Sequence, residues 1–200
     1  MSENVYAPPT AVVAELAPVE RRTEFYVVSG VKMALLTIAT MGLYQTYWSY
    51  MHWARYRTWH KIKDQPAARA IFFVLYTHSL AIKIDRRLRE KAIALDWWPL
   101  TTATGFVLLV LVGYVYDLLP GETPAWMYFA SLLLLAPQTW LMWRMQRAAN
   151  LACGQPAAES NQTVTWANWV WIALGAMLWL SVLLSLWTWA VPVDVDLPAR

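Results

Sequence analysis

Charge is scarce in this chain: Asp, Glu, Lys and Arg make up 14% of 200 residues, while 58% are hydrophobic. Soluble domains carry about 25% charge, so an ordinary water-soluble fold is excluded and an integral membrane protein is implied. Cysteine is nearly absent. The single Cys153 rules out an internal disulfide and any cysteine cluster. With only His52, His60 and His78, and no second histidine or carboxylate at ligand spacing, a metal or haem set lacks ligands. No phosphate-binding glycine loop, nucleophile elbow, zinc-protease helix or paired-cysteine motif is present. Hydrolase, kinase, protease and thiol-redox chemistries are therefore unsupported, and no catalytic residue or cofactor is assigned.

Tryptophan is abundant, at 14 residues, and twelve of them gather at the ends of apolar segments: Trp48, Trp53, Trp59, Trp97, Trp98, Trp126, Trp140, Trp143, Trp166, Trp169, Trp187 and Trp189. That distribution is expected of an interfacial belt; Trp171 and Trp179, inside a run, read as packing residues. The net charge of +3 is uneven. Residues 51–91 hold ten Lys or Arg against three acids. Such a segment faces an anionic leaflet on the cytoplasmic side, and nucleic acid is not implied.

Three runs are long enough to cross a bilayer: 100–119, 125–143 and 166–190. Pro120 to Pro124 forms the turn between the first two, Pro137 falls inside the second, and Arg144 and Arg147 stop transfer. None of these spans has a midplane charge, which counts against an ion-coupled transporter. Asp117 and Lys32 lie near run ends, where snorkelling explains them. The charge bias puts 51–96 and 144–165 inside, and the 120–124 turn and the C-terminus, with Asp194 and Asp196, outside. Asn161-Gln162-Thr163 matches a glycosylation acceptor but carries no meaning on an inside loop.

Residues 1–24 are polar, with no apolar core after a basic start; they read as a mobile tail and not as a cleavable signal. Residues 31–50 form a further apolar run, interrupted by Thr40, Met41 and Gly42. Two readings stay open: a fourth span, or a re-entrant hairpin of helices near 31–40 and 43–56 turning at Gly42, with both ends cytoplasmic. Here the pattern Thr40, Gly42, Leu43, Tyr44, Tyr47 and Trp48 after an apolar run resembles the DUF4234-type family of uncharacterised bacterial membrane proteins. The resemblance covers about residues 25–82 and implies a bacterial membrane location, with no assigned activity.

Residues 71–82 are apolar but span only about 18 Å as helix, a half-crossing at most. They run into a stripe of Ile84, Leu88, Ala92 and Leu95 opposite Arg86, Arg87 and Lys91. We expect a basic amphipathic helix on the cytoplasmic leaflet, with Arg86, Arg87, Arg89 and Lys91 at lipid headgroups, or packed on a partner. Asp85 with Arg89 and Arg86 with Glu90 have pairing distance along it. His78, an ionisable group inside an apolar run, is the one cofactor candidate; a hydrogen bond to a neighbouring helix is the plainer reading. Gly175, Ser181 and Ser185 form a small-residue face for close helix packing or a partner, and Thr40, Gly42 and Tyr44 mark the hairpin turn.

The expected architecture is thus an all-α integral membrane protein of the bacterial inner membrane. It has a tail (1–24), an embedded hairpin or span with basic interfacial helices (25–96), a three-helix transmembrane bundle (97–190) and a C-terminal tail (191–200). The expected function is a non-enzymatic accessory, scaffold or assembly subunit of a larger complex. Its partners would be anionic lipid, other membrane subunits or further copies of itself. A small channel lined by Tyr44, Gln45, Thr46 and Gln138, and a lipid-binding or membrane-shaping protein, are the alternatives.

Overall fold

A computed structural model describes residues 23–118 and 125–190, without the side chains of 116–118, 125–131 and 188–190. Of the tail expected over 1–24, residues 1–22 lie outside the described residues, as do 191–200 and the turn at 120–124; Glu24 is not a tail residue but is buried and paired with His60 and Arg87. Those described are all-helical: α1 (Gly30–Ala39), α2 (Tyr44–His60), α3 (Pro66–Ile71), α4 (Phe73–Glu90), α5 (Pro99–Leu118), α6 (Ala125–Ala152) and α7 (Trp166–Ala190), with a 3-10 turn at Glu159–Asn161. Helix α6 is central. α1, α4 and α5 pack against it, α3 packs on α2, and α7 packs on α1.

The run 31–50 is not one helix. Ser29 caps the start of α1 by accepting from the Lys32 amide at 3.2 Å. Its end is a Schellman turn: Met41 (φ 51°) donates to Ile38 and Gly42 (φ 90°) donates to Thr37. The Thr40 hydroxyl then donates to the Leu36 carbonyl at 2.7 Å and accepts from the Tyr44 amide at 3.0 Å, so one side chain closes α1 and opens α2. The ends of this 24–60 stretch meet, because His60 Nε2 lies 2.8 Å from Glu24 Oε1.

Three sequence expectations are corrected. First, residues 71–82 are not one unbroken segment: Phe72 breaks α3 from α4, and α4 continues from Phe73 to Glu90. Second, Ile84 and Leu88 share its buried face, but Ala92 and Leu95 do not extend it. Ala92 is left-handed (φ 53°), donating to Arg89 while Ile93 donates to Leu88, a second Schellman turn that ends the helix. Third, Trp48, Trp53 and Trp97 are not belt residues. Each is about fully buried, in an aromatic core with Phe25, Tyr44 and Phe106. Trp59, Trp98, Trp140, Trp143, Trp166, Trp169 and Trp187 are exposed; the side chains of Trp126 and Trp189 are not described.

Among the described residues one helix is long and apolar enough to cross a membrane, Trp166–Trp187 within α7, and it is almost wholly exposed. It touches the rest where Gly175 meets the α1 terminus. A Cβ there would run into the Ala39 carbonyl oxygen. Trp179 Nε1 donates to the Ile38 carbonyl at 3.0 Å, and Trp171 lies against Tyr47.

Candidate functional site

Several buried polar side chains converge on one short irregular segment, residues 24–28, which bends at Glu24 and Phe25 and whose side chains are all buried. A segment outside any helix or sheet leaves its amides and carbonyls unpaired, and burial makes each orphan costly. Three clamps answer that need.

The first comes from the end of α6. Gln146 Nε2 donates to the Tyr26 carbonyl at 2.8 Å and to Asn150 Oδ1 at 2.7 Å. Asn150 Nδ2 donates to the Val28 carbonyl at 2.9 Å, and its Oδ1 accepts from the Val28 amide at 3.4 Å. These carbonyl contacts set both amide orientations. Gln146 Oε1 therefore only accepts, from Trp48 Nε1 at 2.6 Å and from His52 Nε2 at 3.1 Å. His52 must carry its proton on Nε2, leaving Nδ1 a buried acceptor with no partner among the described residues. It sits in a box of Phe25, Tyr26 and Trp48, and burial pushes its pKa down to about 3.

The second clamp holds Glu24. Its carboxylate is buried between His60 and Arg87, whose Nε is 2.9 Å from Oε2. The Arg87 contact is an ion pair and not an aligned hydrogen bond. Cys153 Sγ, 3.7 Å from the Phe25 carbonyl, lies beside this clamp, and burial pushes its thiol pKa up. That is the environment of an inert thiol.

The third clamp is Asn161. Its Nδ2 donates to the Val27 carbonyl at 2.9 Å and the Tyr26 hydroxyl at 3.1 Å, while its Oδ1 accepts from Lys32 Nζ at 2.6 Å. Lys32 Nζ also donates to the Thr163 carbonyl at 2.8 Å. Lys32 is thus buried and bonded to the 154–165 loop, where snorkelling was expected.

The other expected site residues are dispersed. His78 Nε2 is 2.9 Å from Thr104 Oγ1, joining α4 to α5. Arg86 reaches the Tyr56 hydroxyl, Arg89 pairs with Asp85 at 2.7 Å and is largely exposed, and Lys91 caps α4. Gly175 packs on α1, whereas Ser181 lies about 120° and Ser185 about 80° around α7 from it, by helical spacing, and both are exposed. Their hydroxyls donate to the Leu178 and Ser181 carbonyls. Gln45 Nε2 donates to Gln138 Oε1 at 3.0 Å, and Gln138 Nε2 to the Leu109 carbonyl at 3.1 Å. Tyr44 is buried, its hydroxyl 3.4 Å from that of Tyr26. Among the described residues no cluster of His, Cys, Asp or Glu is placed to hold a metal ion.

Sequence reasoning passed over Glu24, Gln146 and Asn150, and met Asn161 only as a glycosylation acceptor without meaning. The available signal was the spacing of Gln146 and Asn150, two amides one helical turn apart beside Ala148, Ala149 and Ala152, small residues that admit a neighbouring segment. No protein-family model, curated protein or solved structure matches the chain.

Proposed function

We propose that the chain is a multi-pass protein of the bacterial inner membrane, with α5, α6 and α7 crossing the bilayer. In this reading α1 and α2 form a re-entrant hairpin, and the protein serves as a non-enzymatic accessory, scaffold or assembly subunit of a larger complex. The observation that carries the topology is the contact of Glu24 with His60: a segment whose two ends touch has no net crossing. The exposed apolar surface supports the spans. Leu108, Leu111, Val112 and Val115 of α5, and Leu174, Met177, Leu180, Leu183 and Leu184 of α7, all face outward, and contiguous apolar area of that size belongs in lipid. At 28 residues α6 is about 42 Å long, enough to cross and still project its Gln146 and Asn150 end beyond Arg144. The DUF4234-type resemblance of residues 25–82 belongs to the same proposal.

The scaffold reading draws on where the polar groups are spent. Gln146, Asn150 and Asn161 are each bonded several times to the chain itself, an arrangement suited to a fixed platform. The channel alternative loses support, because Gln45 and Gln138 are buried against each other and the Leu109 carbonyl.

Alkaline phosphatase fused after Arg200 should be active, and a Ser2→Cys variant should be labelled only from the cytoplasmic side. Labelling of Ser2→Cys from outside would sink the hairpin. Purification in mild detergent should bring down a stoichiometric companion chain, and recovery of a solitary monomer would sink the subunit reading.

A further inference from the structure

On the outer side of α2 and α4, two cations share one oxygen. Lys83 Nζ donates to the Tyr56 hydroxyl at 3.2 Å, and Arg86 donates to the same hydroxyl at 3.3 Å. Lys83 also lies 4.6 Å above the Tyr56 ring. The ring is buried and braced by Phe25 and His60, so the hydroxyl is held in place. The nearby acids are engaged elsewhere. Glu24 pairs with Arg87 and His60, and Asp85 with Arg89; Glu90 is divided between Arg87 at 3.0 Å and Arg86 at 3.7 Å. Lys83 has no carboxylate partner among the described residues. Two like charges held on a neutral oxygen repel unless an anion lies between them. The phenol's own proton, with no acceptor among the described residues, adds a donor. Two cations and a hydroxyl converging on one point match the several acceptor oxygens of a phosphate.

We propose that Lys83, Arg86 and Tyr56 form a phosphate-binding site, taking a phosphate group of an anionic lipid headgroup or of a soluble phosphate. The depth favours the lipid. Asp85, between the two cations in sequence, accepts from Trp97 Nε1 at 3.2 Å, and the Trp97 carbonyl accepts from Arg144, the first charge after the apolar part of α6. Lys83 and Arg86 therefore sit at headgroup level if α6 spans, and the lipid source rests on that reading; the phosphate chemistry does not. The site differs from the basic stripe expected from sequence, since Arg87 and Arg89 are committed to carboxylates and Lys83 joins in their place.

The test is thermal unfolding of the full chain in neutral detergent, followed by tryptophan fluorescence, with phosphatidylglycerol, phosphatidylcholine or inorganic phosphate added. Phosphatidylglycerol should raise the midpoint and phosphatidylcholine should not. Lys83→Gln with Arg86→Gln should weaken the half-effect concentration by about thirtyfold. Lys61→Gln with Lys63→Gln, which removes the same charge from the loop after α2, should leave it within about threefold. Tyr56→Phe keeps both charges and should still weaken the response. An inorganic phosphate response lost in the same variants assigns a soluble ligand, and a response to phosphatidylglycerol alone assigns the headgroup. Equal loss in both lysine-bearing pairs, or no response to either anion, overturns the site. Carbonate extraction of membranes checks the membrane reading separately, since its failure would leave the inorganic phosphate arm intact.

Discussion

Replacing Gln146 with Leu tests the central clamp most directly. The side chain is fully buried and makes four hydrogen bonds: it accepts from Trp48 and His52 and donates to the Tyr26 carbonyl and Asn150 Oδ1. Leucine is close in size, so the substitution leaves little cavity but strands three groups: the indole N–H, the imidazole N–H and the Tyr26 carbonyl. Asn150 keeps its bonds to Val28. At about 1–3 kcal/mol for each buried orphan, the expected loss is about 3–6 kcal/mol after local relaxation. Chemical unfolding in mild detergent measures it. The double variant with Trp48→Phe removes one orphan together with its partner and should recover about 1–2 kcal/mol of the loss, a coupling that a purely steric effect would not produce. A Gln146→Leu loss below about 1 kcal/mol, or strict additivity in the pair, would refute the claim that this amide holds the segment.

Acid should act through His52. Its folded pKa of about 3 lies below the ordinary 6.5, so the folded state resists a proton that the unfolded chain accepts. The stability present above pH 6.5 should fall by up to about 1.4 kcal/mol per pH unit as pH drops toward 3. A His52→Asn variant should lose most of that slope between about pH 6 and 4.5, and an unchanged slope would show another group responsible. Gly175→Val should force α7 away from the Ala39 carbonyl and lower the melting temperature by several degrees, whereas Ala176→Val, on the exposed side, should change it little. Ala92→Gly relieves a left-handed φ and should stabilise by about 0.5–1 kcal/mol, while Gly42→Ala imposes one at φ 90° and should cost about 1 kcal/mol, both read by unfolding titration.

Helix positions were largely legible because they follow from local rules. Apolar runs at 100–119 and 166–190 and the Thr40-to-Gly42 interruption speak through backbone preference and hydropathy, which act within a few residues. The end of α4 was misread for a related reason. A period of three and four continues through Ala92 and Leu95, and alanine carries no stop signal; the left-handed turn there is stabilised by the Ile93–Leu88 bond, a contact that periodicity does not encode.

Composition alone determined that this chain is apolar, helical and asymmetric in charge, and that its tryptophans matter. It did not separate tryptophans that face outward from Trp48, Trp53 and Trp97, because indole is suited both to an interface and to a core, where the N–H of Trp48 finds Gln146 and that of Trp97 finds Asp85, while that of Trp53 has no partner among the described residues. Only the tertiary structure decided that the polar residues of α6 and the 154–165 loop serve the backbone of residues 24–28. Those pairs are separated by more than a hundred positions, as in Val28 with Asn150 and Val27 with Asn161. A buried segment outside helix and sheet must satisfy its amides and carbonyls from whatever lies beside it in space, and which amide lies there is settled by how α6 and the loop pack.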